Sequence, residues 1–243
     1  FMQGAMLQQF DFSQKGWVSG TGLQARWEPI GWDDKIVNPQ FLMGAEDAGP
    51  DIVRLSKISF RRIARNTDAR TMIAAHVPRM PCGDVASVLH LLRPSQQFAM
   101  LCVLDSFAVD WVTRFRIIGT HVDYHYAREL PILRPNLHGA ATTIGLKLGA
   151  GTPMSAPEWL ESHTTQLPWR HDWGLSDAFR LQAKVHAECL VASASDLSLD
   201  HVARILWQCD WTNVRDAPEF SATGFWRVDK DKDPELRHTV LTL

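Results

Sequence analysis

"FRRIARNTDARTMIAAHVP", Phe60 to Pro78, decides how the middle of this chain folds. Residues 53 to 65 place Val53, Leu55, Lys57, Ser59, Arg61 and Ile63 on loosely alternating faces, which is a strand pattern. Asn66-Thr67-Asp68-Ala69 is turn chemistry, since short polar side chains bond their own backbone. Residues 70 to 78 return as a second strand of small and β-branched residues, closed by Pro78 and Pro81, because proline donates nothing to a ladder. The expectation is an antiparallel hairpin.

The hairpin carries an unusual charge. From Arg54 to Arg79 there are seven basic residues (Arg54, Lys57, Arg61, Arg62, Arg65, Arg70 and Arg79) and one acidic residue, Asp68. The whole chain has a formal net charge of −2, so the sign reverses locally. Arginine's planar fork suits bidentate contacts to phosphate or to guanine edges. A solvated strand face is the plain alternative.

Outward from the hairpin, residues 1 to 50 alternate short apolar runs with Gly, Pro and Asp, which predicts short strands and long loops. Residues 96 to 117 carry Phe98, Leu101, Cys102, Val109, Val112 and Phe115 at helical spacing, with no Gly or Pro between them. The spacing predicts one buried helix. After Gly119, "THVDYH" reads as a short strand with His121, Asp123 and His125 on one face. Residues 136 to 170 carry little pattern. Residues 176 to 208 return to helix, the second part opened by Ser198 or Asp196 as a cap. The tail from 211 reads as loop and short strand. Strands and helices mix without a βαβ rhythm. The expected fold is α+β (irregular α/β): a twisted, mostly antiparallel sheet with packed helices over residues 1–170, and a C-terminal helical part over 171–243.

With 243 residues, 45% of them hydrophobic, the chain can bury a real core. Four cysteines without a CxxC pair read as buried thiols of a reducing compartment. No apolar run reaches membrane-spanning length, so the expectation is a soluble, cytoplasmic protein with no membrane partner. Ten tryptophans read as packing anchors. The start at Phe1 and the end inside "HTVLTL" read as a piece of something longer.

Catalytic patterns are sparse. His121, Asp123 and His125 could ligate a metal, but two strand-spaced histidines lack further ligands at fixed spacing. His186, Cys189, His201 and Cys209 sit among apolar residues of expected helices. "VSGTG" (18–22) lacks the following helix that a phosphate loop needs. No GxSxG, Walker lysine or HExxH occurs, and Pro50-Asp51 is not followed by Glu-x-Lys. The reading is no catalytic set and no metal.

Several motifs in order resemble the C-terminal target-recognition region of large bacterial adenine-N6 DNA methyltransferases of restriction-modification and phage-defence systems. The family's hairpin pattern matches Phe60-Arg61, Ile63, Arg65, Thr67, Arg70-Thr71, Ile73-Ala74-Ala75 and Pro78. Its helix matches Leu104-Asp105-Ser106 and Asp110, followed by Gly119-Thr120-His121 and Leu130-Pro131. "QGAMLQQFD" at 3 to 11 resembles the segment preceding that region, with Ala5 where the family pattern has lysine. "LSLDHVARIL" (197–206) resembles a late family helix. The likeness is close over residues 1 to 135 and looser over 176 to 243.

The resemblance implies a sequence-specific DNA-binding domain, target-recognition-domain-like and itself non-catalytic. Its partners would be double-stranded DNA and the catalytic methyltransferase domain of the same parent chain. S-adenosylmethionine would belong to that parent, whose Asn-Pro-Pro-Tyr signature is absent here and would lie upstream. The DNA-contacting candidates are Lys57, Arg61, Arg62, Arg65, Asn66, Arg70, Arg79 and His121. Two other classes stay open: a protein-interaction or scaffold module, and a small metal-dependent hydrolase on the His121–Asp123–His125 face.

Overall fold

A computed structural model describes residues 1–49, 54–90, 93–130, 137–162, 168–210 and 224–243, the side chains at 170–171 and 207–210 excepted. The hairpin forms. Strand β3 (Lys57–Arg61) pairs antiparallel with β4 (Ala74–Val77), with Ile58 opposite His76 and Phe60 opposite Ala74. A further strand, β5 (Ala86–Leu89), pairs with the other edge of β3, giving the order β4-β3-β5. The paired segments are shorter than the alternation predicts, because residues 62 to 73 leave the ladder to make the turn and its anchors. A separate two-stranded sheet joins β1 (Lys15–Ser19) to β2 (Arg26–Pro29).

Both faces of the central sheet are covered. Ile58, Phe60 and Ala74 enter the main core. Their sequence neighbours Ile73, Ala75 and Val77 pack on the other side against Met2, Met6, Leu7 and Phe12. This is the period of two expected of a strand. The N-terminal coil therefore acts as a layer of the fold.

The main core is closed by helices α1 (Pro94–Leu104), α2 (Phe107–Arg116), α3 (Tyr124–Arg128) and α4 (His138–Gly149). Shorter helices α5 (Ala156–Ser162) and α6 (Trp169–Asp172) follow. The long α7 (Asp177–Ala194) adds Ala183, Ala187, Val191 and Ala194 to the same core. Helices α1 and α4 meet closely: a Cβ on Gly145 would lie 2.1 Å from the Phe98 carbonyl oxygen. Helix α8 (Leu199–Asp210) is capped by Ser198, whose Oγ accepts from the His201 amide at 3.2 Å. Helix α9 (His238–Thr242) ends the described chain. Small antiparallel sheets with packed helices make the fold α+β.

Three expectations are corrected. The single helix over 96–117 is two. Asp105 and Ser106 break it: Ser106 turns extended, and its Oγ caps α2 by accepting from the Val109 amide at 3.2 Å. Short polar side chains offer the backbone such alternatives, which periodicity does not register. His121, Asp123 and His125 do not share a strand face. His121 forms an isolated bridge, and Asp123 stands at the start of α3, with His125 inside it. The unpatterned 136–170 region contains α4, α5 and α6, and the strand-like "HTVLTL" is α9. Part of the expected loop-and-strand tail, 211–223, lies outside the described residues.

His76 sits on β4 at 1% exposure, its ring 4.5 Å from that of Phe98. Burial pushes its pKa down to about 4, against the pull of nearby Glu158. The folded state thus binds fewer protons than the unfolded chain between pH 6.5 and about 4, so stability is full above this window and falls through it. Between pH 7 and 4.5 the chain should lose about 2–3 kcal/mol from His76 alone. Urea unfolding at the two pH values checks this: His76→Leu should lose less stability on acidification than the parent by that amount.

Candidate nucleic-acid interface

The turn at the top of the hairpin is held from below. The Asp68 carboxylate accepts from the Arg65 amide at 2.9 Å, and Thr71 Oγ1 donates to the Arg65 carbonyl at 2.9 Å. Arg114 Nη2 donates to the Asp68 and Ala69 carbonyls, and Arg227 Nη2 to that of Thr67. With its carbonyls gripped on the inner side, the turn presents Arg65, Asn66 and Thr67 to solvent.

Beside the turn lies the segment after α2. Ile63 and His121 form an antiparallel bridge, framed by Ala64 N–H to the Thr120 carbonyl (3.1 Å) and Val122 N–H to the Arg62 carbonyl (2.7 Å). Residues far apart in sequence thereby share one ridge. Gly119, Thr120 and His121 are exposed on it, and Gly119 has φ +96°, a conformation that favours glycine. Ile118 is 90% exposed next to it.

The arginines divide into distinct environments. Arg65 is exposed and its side chain makes no hydrogen bond or ion pair among the described residues. Arg61 and Arg62 point apart, as neighbours near a strand end do. Arg61 Nε donates to the Ile63 carbonyl at 3.1 Å. Its side chain lines a groove of about 400 Å³ with Gln3, Lys15, Trp27 and Ile63, and burial lowers its pKa despite the opposing pull of Asp68. Arg62 reaches the other way, to Asp123 at 3.0 Å and to both Asp84 oxygens at 2.9 and 2.8 Å. These acceptors raise its pKa, the Asp123 bond first.

Two candidates are interior. Arg70 is 3% exposed, with Nε 3.2 Å from the Asp110 carboxylate and its guanidinium over the Phe107 and Phe225 rings. Lys57 is 1% exposed and donates to the Met80 carbonyl at 2.9 Å. Neither presents its charge to a partner at the surface in this fold. Arg79 stands apart, paired through Nε with buried Glu158 at 3.0 Å. The ridge therefore gathers Arg61, Arg65, Asn66 and His121. Arg62 flanks it, and Lys57, Arg70 and Arg79 lie away from it.

Sequence reading did not find Lys15, Gln3 and Trp27 as neighbours of Arg61. They come from the N-terminal layer, and only the tertiary fold brings them there.

No family model, curated protein or solved structure matches the chain.

The other chemistries can be weighed on geometry. The glycine-rich 18–22 segment ends β1 and runs through a single 3-10 turn into β2, with Gly20 at φ +78° and Gly22 at φ +56°. It is a hairpin connection and lacks the helix start that cradles a cofactor phosphate. Among the described residues no group of three or more His, Cys, Asp or Glu side chains is placed to hold a metal ion. The Cys209 side chain lies outside the described residues. No described helix is long and apolar enough to cross a membrane.

This division predicts opposite outcomes for two arginines of one hairpin. Arg70→Ala should cost about 3–5 kcal/mol, since it strips a buried ion pair of its cation. Arg65→Ala should stay within about 0.5 kcal/mol of the parent. Chemical denaturation of both variants measures the difference.

Proposed function

We infer that this chain is a DNA target-recognition domain of an adenine-N6 DNA methyltransferase, itself non-catalytic and working in the cytoplasm. The observation that carries the reading is the Ile63–His121 bridge. It joins the two sequence motifs on which the family resemblance rests, the arginine hairpin and Gly119-Thr120-His121, into one exposed ridge.

The ridge has the parts a duplex reader requires. Arg65 is a solvent-facing cation free to neutralise a phosphate. Asn66, beside it on the turn, carries an amide able to pair with an adenine edge. Arg61 and Lys15 place two further cations in the groove that Ile63 also lines. His121 and Thr120 add hydrogen-bonding groups at close range, with Thr120 Oγ1 3.1 Å from His121 Nδ1. On this reading phosphate contacts set the register and the turn reads base edges. The missing catalytic domain of the parent chain would receive the flipped adenine and hold S-adenosylmethionine. What this chain's own residues do is bind and orient the duplex.

The test is binding of the purified chain to duplex DNA over a series of salt concentrations. Affinity should fall steeply with salt. Arg65→Ala should weaken binding to all sequences and reduce the salt slope by about one. Asn66→Ala should cost about 1–3 kcal/mol on a cognate site, with little change on a scrambled one. The isolated chain should transfer no labelled methyl group to DNA. Salt-independent binding, or ridge variants indistinguishable from the parent, would refute the reading.

A further inference from the structure

Away from the ridge, a cavity of about 440 Å³ opens between α7, the start of α2, the Gln8–Gln14 segment and the C-terminal residues 225–238. Its inner wall is basic. Arg70 and Arg180 line it at 3% and 6% exposure, together with Lys184 and His238, and Lys232 stands at its exposed rim.

The protein's own acceptors meet only part of this set: Arg70 is paired with Asp110 and Lys232 lies 3.8 Å from Asp229, but other donors of the wall are left over. Lys184 has neither a hydrogen bond nor an ion pair from its ammonium among the described residues. Arg70 Nη1 and His238 Nε2 are buried without a hydrogen-bond partner, the latter 3.8 Å from Glu188. Arg180 directs Nη1 to the Leu148 and Gly174 carbonyls and lies 3.8 Å over the Trp32 ring, with Asp11 and Asp177 the acids nearest its charge. Burial, and then repulsion from Arg180, brings the Lys184 pKa down to about 8. Burial likewise holds His238 well below its usual value, with Lys184 and Arg70 pushing it further.

The acidic residues of the cavity offset part of this charge from its mouth. Asp177 and Asp231 stand on its exposed rim, and Asp229 accepts from the His238 amide at 2.9 Å and lies 3.8 Å from the Lys232 ammonium. Crowded interior cations with unmatched donors cost stability unless an anion joins them.

We propose that this cavity is a binding site for the phosphate group of a small molecule, seated against Lys184, Arg70 and His238 with Arg180 behind them. The dianion supplies acceptors for the Lys184 ammonium and Arg70 Nη1, with the neutral His238 ring packed beside them, and the low-dielectric wall strengthens the attraction. The volume leaves room for more than the phosphate, and the Phe107 and Phe225 side chains in the lining offer apolar surface to the rest of such a ligand. Nothing in this assignment depends on DNA binding at the ridge.

Thermal unfolding of the purified chain tests it. About 20 mM inorganic phosphate should raise the melting temperature by roughly 3–6 °C over chloride at equal ionic strength. Lys184→Gln should abolish the shift, and Lys232→Gln, at the rim, should reduce it. Should Lys184→Gln fail to fold, equilibrium dialysis of labelled phosphate against the unmodified chain decides, with one phosphate per chain expected at saturation. No shift beyond chloride, or an unchanged shift in folded Lys184→Gln, overturns the proposal, as does dialysis without bound phosphate. A shift produced by duplex DNA but by neither inorganic phosphate nor a nucleoside monophosphate overturns the small-ligand assignment.

Discussion

Two buried carboxylates, Asp105 and Asp110, hold the central architecture together. Asp105 sits at the break between α1 and α2, and its oxygens accept from the Phe10 amide at 2.9 Å and the Ala74 amide at 2.8 Å. Its own carbonyl accepts from Gln9 Nε2 and Arg70 Nη2. Asp110, one turn into α2, accepts from the Thr71 and Met72 amides and from Arg114 Nε. Between them they tie the N-terminal layer, the returning strand and the helices into one unit. Burial pushes the Asp105 pKa up, while the backbone donors and Arg70 oppose it. Donors aimed at both oxygens of each acid are what make such burial tolerable. Because the donors are mostly backbone amides outside the ladder, the carboxylates stand in for strand partners over residues 71–74. That explains why β4 is short and still fixed.

The same network explains how the hairpin's positive charge is distributed. Arg70 is drawn inward by Asp110 and lies over Phe107 and Phe225, while Arg114 supports the turn from beneath. A charge count along the sequence gives all seven cations of the 54–79 stretch the same weight. In the fold, burial and pairing remove Lys57 and Arg70 from the surface and neutralise Arg62 with Asp84 and Asp123. What remains outward at the turn is Arg65. The local reversal of sign is therefore partly an internal feature, required because the aspartates at the helix break need cations near them.

Legibility followed the range of the interaction involved. Alternation over 57–61 and 74–77 is local, and the hairpin it implied is present. Turn chemistry at 66–69 is also local, and Asp68 bonds the Arg65 backbone there. Helices α7 and α8, each with a serine cap and an apolar period, were readable for the same reason. The break at Asp105-Ser106 was not, since periodicity does not register the Ser106 cap, and the partners that hold the Asp105 carboxylate, Phe10 and Ala74, are distant in sequence. Helix α4 escaped notice because its buried residues mix Leu146 and Leu148 with Ala141, Thr142, Gly145 and Gly149, so small and glycine positions blur the apolar period. Of the candidate residues, Arg65, Asn66 and His121 are exposed around the Ile63–His121 bridge. The partition of the remaining basic residues needed three-dimensional burial to see.

The residues that carry the family resemblance fall into two physical groups, and the division bears on what the resemblance can mean. Phe60, Arg70, Thr71, Asp105, Ser106 and Asp110 are interior and act on one another. Arg65, Thr67, Gly119, Thr120 and His121 are exposed around the bridge. On the proposed reading the second group is the part that would meet DNA, while Gly119 within it also answers a backbone demand at φ +96°. Its members lie within one ridge because the first group holds the hairpin against the segment after α2. The buried aspartates thus decide both which arginines are hidden and where the exposed ones are presented.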